Sequence, residues 1–115
     1  MRWTKGRQNT GYEKLTFINK GFRCWMLLGF DCHLLRYTDG SFIPPHTDAV
    51  ESGRHHRINL VLKKPKKGGI FKCSQAWKIG QRLFYFRPDI HEHEVSECVG
   101  TRYVLSLGWV LDDAK

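Results

Sequence analysis

From Cys32 onward, short β-prone runs are cut repeatedly by glycine, proline and aspartate turns, and this punctuation limits the fold more than any other feature. "CHLLRY" (Cys32–Tyr37) meets "TDGS", "PHTDAV" meets "ESGRH", and "HRINLVL" (His56–Leu62) meets "KKPKKGG". "IFKC", "AWKI" and "RLFYF" follow at similar spacing, then "EHEVSE" (Glu92–Glu97), and "TRYVLSLGWVL" (Thr101–Leu111) closes the series. Eight such runs with turn signals between them predict an all-β sandwich or barrel, and no long segment keeps a helical period. The expected architecture is a jelly roll of about eight strands. In "RINLVL", Ile58, Leu60 and Leu62 share one face, read as the interior, which puts Asn59 on the opposite parity. Phe84, Phe86 and Trp109 are expected in the core.

A chain of 115 residues has room for one domain with a single modest core. The domain is expected to span 1–115, with residues 1–23 a polar, basic arm that has room for a short strand or helical turn, and 24–111 the β core. No apolar run approaches the ~20 residues of a membrane-spanning helix; the most apolar, "CWMLLGF", is far shorter. "MRWTKGRQNT" has no apolar stretch behind its positive residues, so no secretory signal is read there and a cytoplasmic location is expected. Cys24, Cys32, Cys73 and Cys98 are scattered with no C-x-x-C pair, which argues against a zinc knuckle and for free thiols.

The formal charge is +8, and from Ser52 to Pro88 there are ten Lys or Arg and no Asp or Glu. Such a stretch suits a solvated surface, and it also suits nucleic acid or another anionic partner. His55 and His56 fall in this region and read as structural residues of a basic loop.

"SFIPPHTDAV" (Ser41–Val50) places His46 and Asp48 two residues apart, on one face if the segment is a strand. A surface pair, a buried hydrogen-bonded pair and two ligands of one metal all satisfy that spacing. A histidine about 45 residues downstream makes the third reading specific, because two imidazoles and one carboxylate form the facial triad of non-haem Fe(II) oxygenases. His91 and His93 share strand parity, so periodicity does not separate them. "RPDI" reads as a turn, which leaves His91 near the loop and His93 inside the strand. Nine residues after His93 stands Arg102, at the start of an apolar run, where a guanidinium can clamp a carboxylate with two parallel hydrogen bonds.

Taken together, "YTDGSFIPPHTD", the glycine pair of "KKGGIF", "RLFYFRPD", "HEHEV" and "GTRYVLSLGW" resemble the 2-oxoglutarate- and Fe(II)-dependent dioxygenases, and within them the prolyl-hydroxylase branch. The resemblance runs from about Leu34 to Leu111, and it implies that the jelly roll is a double-stranded β-helix. It implies that His46, Asp48 and His93 hold Fe(II), that Arg102 binds the distal carboxylate of 2-oxoglutarate, and that Tyr37 lines the co-substrate pocket. It implies hydroxylation of a C–H bond with O2, releasing succinate and CO2, on a prolyl residue of a peptide or protein, with ascorbate as an auxiliary reductant. Relatives of this kind carry helices before the barrel, whereas this sequence implies little or no helical buttress. They also carry a second tyrosine where "LVLKKP" has lysines, and Lys64 is read as facing solvent there. Two other readings stay open at this level: a dioxygenase acting on nucleic acid, and a non-catalytic jelly-roll binding module.

Overall fold

The computed structural model describes residues 3–5, 11–20, 27–48 and 53–111. Their strands, in chain order, are β1 (Trp3–Lys5), β2 (Glu13–Lys20), β3 (Leu27–Tyr37), β4 (Ile43–His46), β5 (Arg54–Lys63) and β6 (Lys67–Gly68). They continue as β7 (Phe71–Lys72), β8 (Trp77–Ile79), β9 (Leu83–Phe86), β10 (His93–Val95), β11 (Cys98–Val99) and β12 (Arg102–Leu111). No helix occurs among the described residues. Seven strands form an antiparallel sheet in the order β1-β2-β3-β12-β5-β9-β8, and β4-β10-β7 form a second sheet. The β11-β6 ribbon completes the jelly roll.

The long sheet is built on β12, whose burial alternates along its length, so that Arg102, Val104, Ser106 and Gly108 point inward. Strand β3 flanks it on one side and β5 on the other. The core between the sheets is aromatic: Phe71 meets Phe84 edge-on with centroids 4.8 Å apart and lies 4.9 Å from Phe86. Phe84 and Phe86 are buried as expected. Trp109 is not in this core; it lies on the outer face, stacked on His56.

The parity of β5 is the reverse of the sequence reading. Val61 is buried while Leu60 and Leu62 are 38% and 50% exposed, so the Ile58, Leu60 and Leu62 face is the outer one. His55, Arg57 and Asn59 consequently line the interior. Alternation separates the two faces of a strand, but only the opposing sheet decides which is inside. His55 and His56 are therefore strand residues and not part of a loop.

Within the segment read as an arm, Glu13–Lys20 is a strand paired along β3, with Glu13 opposite Arg36. Arg36 Nη2 donates to Glu13 Oε1 at 2.6 Å across that ladder. Glu13 and Thr16 of β2 are matched by Arg36 and His33 on its neighbour, and a strand's own periodicity cannot display that match.

The glycine pair of "KKGGIF" has a steric reason. Gly68 and Gly69 have φ of 66° and 61°, and a Cβ on Gly68 would run into the carbonyl oxygen of Glu97. The chain can therefore cross β11 closely only without side chains there. Cys32, Cys73 and Cys98 are free thiols, and Cys24 lies outside the described residues. No helix of the described residues is long and apolar enough to cross a membrane.

Candidate metal centre

Two rungs of the sheets deliver the predicted residues to one cavity. His46 ends β4 and stands directly opposite His93, the first residue of β10. Arg102, the first residue of β12, stands opposite Tyr37, the last of β3. All four, with Asp48, line a cavity of about 330 Å³ between the sheets.

Asp48 reaches its place differently from the sequence expectation. It lies beyond the end of β4, outside any strand. Its N–H donates to the carbonyl oxygen of Pro88 at 2.6 Å, which ties it to the turn preceding β10. The carboxylate then lies between the two imidazoles, with Oδ1 3.5 Å from His46 Nε2 and Oδ2 3.5 Å from His93 Nε2. One donor atom from each of the three residues falls within 4.8 Å of the others.

The hydrogen bonds behind the rings fix their orientation. His46 Nδ1 donates to the carbonyl oxygen of Pro44 at 2.8 Å, and His93 Nδ1 donates to that of His91 at 2.9 Å. A carbonyl only accepts, so in the neutral ring the proton sits on Nδ1 and the Nε2 lone pair is free. Two lone pairs and a carboxylate then converge on one point. Such a set of acceptors is complemented by a cation, and outer hydrogen bonds of this kind are what hold metal-binding imidazoles in register. The donor set of two imidazoles and one carboxylate fits a divalent transition metal. Phe86 packs against the His93 ring with centroids 5.0 Å apart.

His91 lies before β10 and contributes its main-chain carbonyl, while its own ring Nδ1 accepts the Arg87 N–H at 3.1 Å. It is not among the clustered donors.

Arg102 is 3% exposed, and among the described residues no carboxylate lies within ion-pairing distance of it. Its guanidinium lies 4.6 Å over the Tyr37 ring, and Tyr37 is stacked in turn on Tyr12 at 5.2 Å. Burial pushes the Tyr37 hydroxyl up to about 12, with Arg102 only partly opposing it, so the phenol stays neutral. A buried cation without an acid partner is costly unless an anion joins it. Lys64 is exposed, as expected, and lines a second cavity on the other side of Arg102.

The sequence reading missed the polar wall opposite the metal ligands. Arg57 Nη2 donates to both oxygens of Asp31 at 2.7 and 2.9 Å, and its Nη1 donates to Ser106 Oγ at 2.6 Å. Ser106 Oγ donates on to Asn59 Oδ1 at 2.6 Å. Burial pushes the Asp31 carboxyl up, but His33 and Arg57 outweigh it and the net shift is downward. From the sequence, Asn59 reads as facing away from the interior and Arg57 as one charge of a basic stretch. Of the ten cations between Ser52 and Pro88, Arg57 turns inward, Arg82 donates to the Val61 carbonyl and Arg87 pairs with Asp89. The stretch is therefore not one continuous basic face.

No sequence-family profile and no curated protein sequence matches the chain. Its architecture does have counterparts among solved structures, and they define it at the level of fold, as a jelly roll. A prolyl-4-hydroxylase from Pseudomonas putida superposes with a TM-score of 0.69 at 17% identity, over 97% of this chain and 78% of that one. KdgF from Halomonas sp. gives 0.64 at 12% identity, over 98% and 89% of the two chains. A prolyl hydroxylase from Trichoplax adhaerens, solved with a hypoxia inducible factor oxygen degradation domain peptide fragment, gives 0.59 at 26% identity. That match covers 76% of this chain and 46% of the Trichoplax protein, so the chain spans about half the length of that relative.

Proposed function

We propose that the protein is an Fe(II)- and 2-oxoglutarate-dependent dioxygenase that hydroxylates a C–H bond, with a prolyl residue of a peptide or protein as the target. The observation that carries this reading is the pairing, in one cavity, of the His46–Asp48–His93 donor set with the buried, acid-free guanidinium of Arg102. A metal-binding set alone would suit many cupin-type enzymes. A clamp for a second carboxylate in the same cavity selects for a chelating dicarboxylic co-substrate.

Bound at this site, Fe(II) would supply the O2 and one-electron chemistry that amino-acid side chains lack, with 2-oxoglutarate leaving as succinate and CO2. The residues of the chain bind and orient. His46 and His93 offer neutral Nε2 donors, and Asp48 offsets part of the metal charge. Arg102 holds the distal carboxylate through charge-assisted bonds, with its plane set by the Tyr37 ring. Phe71, Phe86 and Val95 close the cavity around His93 against bulk water. The peptide preference draws support from the fold shared with two prolyl hydroxylases, one of them solved with a peptide.

The test is anaerobic reconstitution with Fe(II), followed by exposure to O2 and 2-oxoglutarate against proline-containing peptides and oligonucleotides. Succinate released in step with peptide hydroxylation supports the reading. Stimulation by oligonucleotides alone, with affinity falling steeply as salt rises, would move the substrate to nucleic acid. Metal bound with no succinate under any condition would reduce the protein to a binding module.

A further inference from the structure

The inner wall formed by β3, β5 and β12 is polar where a jelly roll of this size most needs apolar core. Asp31, His33, Arg57, Asn59 and Ser106 all line the cavity. A buried ion pair contributes little to stability compared with apolar residues of similar volume, so stability does not account for this wall. The backbone has also been shaped around it. Gly108, opposite Arg57 on the β12–β5 ladder, has no side chain, and a Cβ there would collide with the Arg57 guanidinium. The guanidinium therefore lies flat against β12, pinned by Asp31 on one side and Ser106 on the other.

Its Nε–H and one Nη1–H remain without an acceptor among the described residues. Beside it, His55 Nε2 lies 3.3 Å from Arg57 Nη2, and His55 Nδ1 is a buried ring nitrogen with no hydrogen-bond partner among the described residues. The charge of the guanidinium, by contrast, is already matched by the Asp31 carboxylate at 2.7 Å. Free donors with a cancelled charge suit a neutral oxygen acceptor. A carboxylate placed there would meet Asp31. Lys14, the other cation on this part of the cavity, stands opposite Leu35, four residues along β3 from Asp31 or roughly 13 Å by strand rise.

We propose that Arg57, held by Asp31 and Ser106, is the substrate-positioning group of the cavity and takes an amide carbonyl oxygen of the substrate, so that the site selects a neutral peptide amide over a free acid. This rests on the dioxygenase reading above and gives that site its substrate chemistry.

The test uses the full chain loaded with Mn(II), which is paramagnetic and does not turn over, and two probes of nearly equal size. These are N-acetyl-L-prolinamide, which is neutral, and N-acetyl-L-proline, which is a carboxylate at pH 7.5. Binding is read from metal-induced broadening of the probe's proton NMR signals in the presence of 2-oxoglutarate. The wild type is expected to bind the amide at least tenfold more tightly than the acid. Arg57→Gln should erase that preference by weakening the amide about tenfold, the scale of a hydrogen bond to a charged donor. Asp31→Asn should move the preference toward the acid, because it uncovers the guanidinium charge. Gly108→Ala keeps Arg57 but displaces it and should behave like Arg57→Gln. It preserves the ion-pair partners and so remains informative if Asp31→Asn fails to fold. Wild type that binds Mn(II) and 2-oxoglutarate yet shows no amide preference overturns the proposal and leaves the dioxygenase reading standing. Wild type that binds neither overturns both.

Discussion

The ring of His93 donates its Nδ1–H to the main-chain carbonyl of His91, 2.9 Å away, so two histidines two residues apart serve one site in different ways. One presents a lone pair to the cavity. The other contributes a backbone oxygen that any residue could supply.

His93→Ala is therefore expected to abolish Fe(II) binding and 2-oxoglutarate turnover, while His91→Ala retains the metal. Bound iron measured in the two purified variants checks this. Iron kept by His93→Ala and lost by His91→Ala would reverse the assignment.

Asp48→Ala should remove most of the metal affinity and all turnover while the fold survives, since Asp48 lies outside the strands and its backbone bond to Pro88 does not need the carboxylate. Circular dichroism and metal analysis on the same sample separate the two effects. Decarboxylation at the wild-type rate would remove Asp48 from the ligand set.

Arg102→Ala should raise the concentration of 2-oxoglutarate needed for half-maximal turnover by about ten- to a hundredfold, the loss expected for charge-assisted bonds worth roughly 1.5–3 kcal/mol. Metal affinity should change far less. Arg102→Lys should recover only part of the loss, because an ammonium cannot make the bidentate contact. An unchanged 2-oxoglutarate dependence would place the dicarboxylate elsewhere.

Burial holds the His55 imidazole down to about 4, with Arg57 adding to the effect. In the unfolded chain it titrates near ~6.5, so between these values the unfolded state binds the proton and the folded state does not. This contribution to stability is complete above pH ~6.5 and declines as the pH falls toward about 4. His55→Gln should flatten the profile in that window. Urea denaturation of both proteins at pH 7.5 and pH 5 measures it, and parallel profiles would mean that His55 is solvated.

Much of the candidate site was legible in the chain because its elements are local. The H-x-D spacing, the nine-residue step from His93 to Arg102 and the turn before His93 are all short-range features. The strand alternation of "TRYVLSLGW" likewise places Arg102, Val104, Ser106 and Gly108 on one face whatever surrounds it. What the alternation could not supply is which face of β5 meets the opposite sheet. Both faces carry residues that a core could accept, and burial is a property of the partner surface and not of the strand. The same limit left β2 as no more than room for a short strand within the arm, since Glu13 and Thr16 find their partners only beside β3. It also hid the role of Gly108, which reads as a weak point in a strand until Arg57, fifty-one residues earlier in the chain, comes to rest against it. The sequence alone determined the chemistry that the chain can offer. Tertiary packing decided which of those groups share a cavity, because that depends on contacts between residues far apart in the chain.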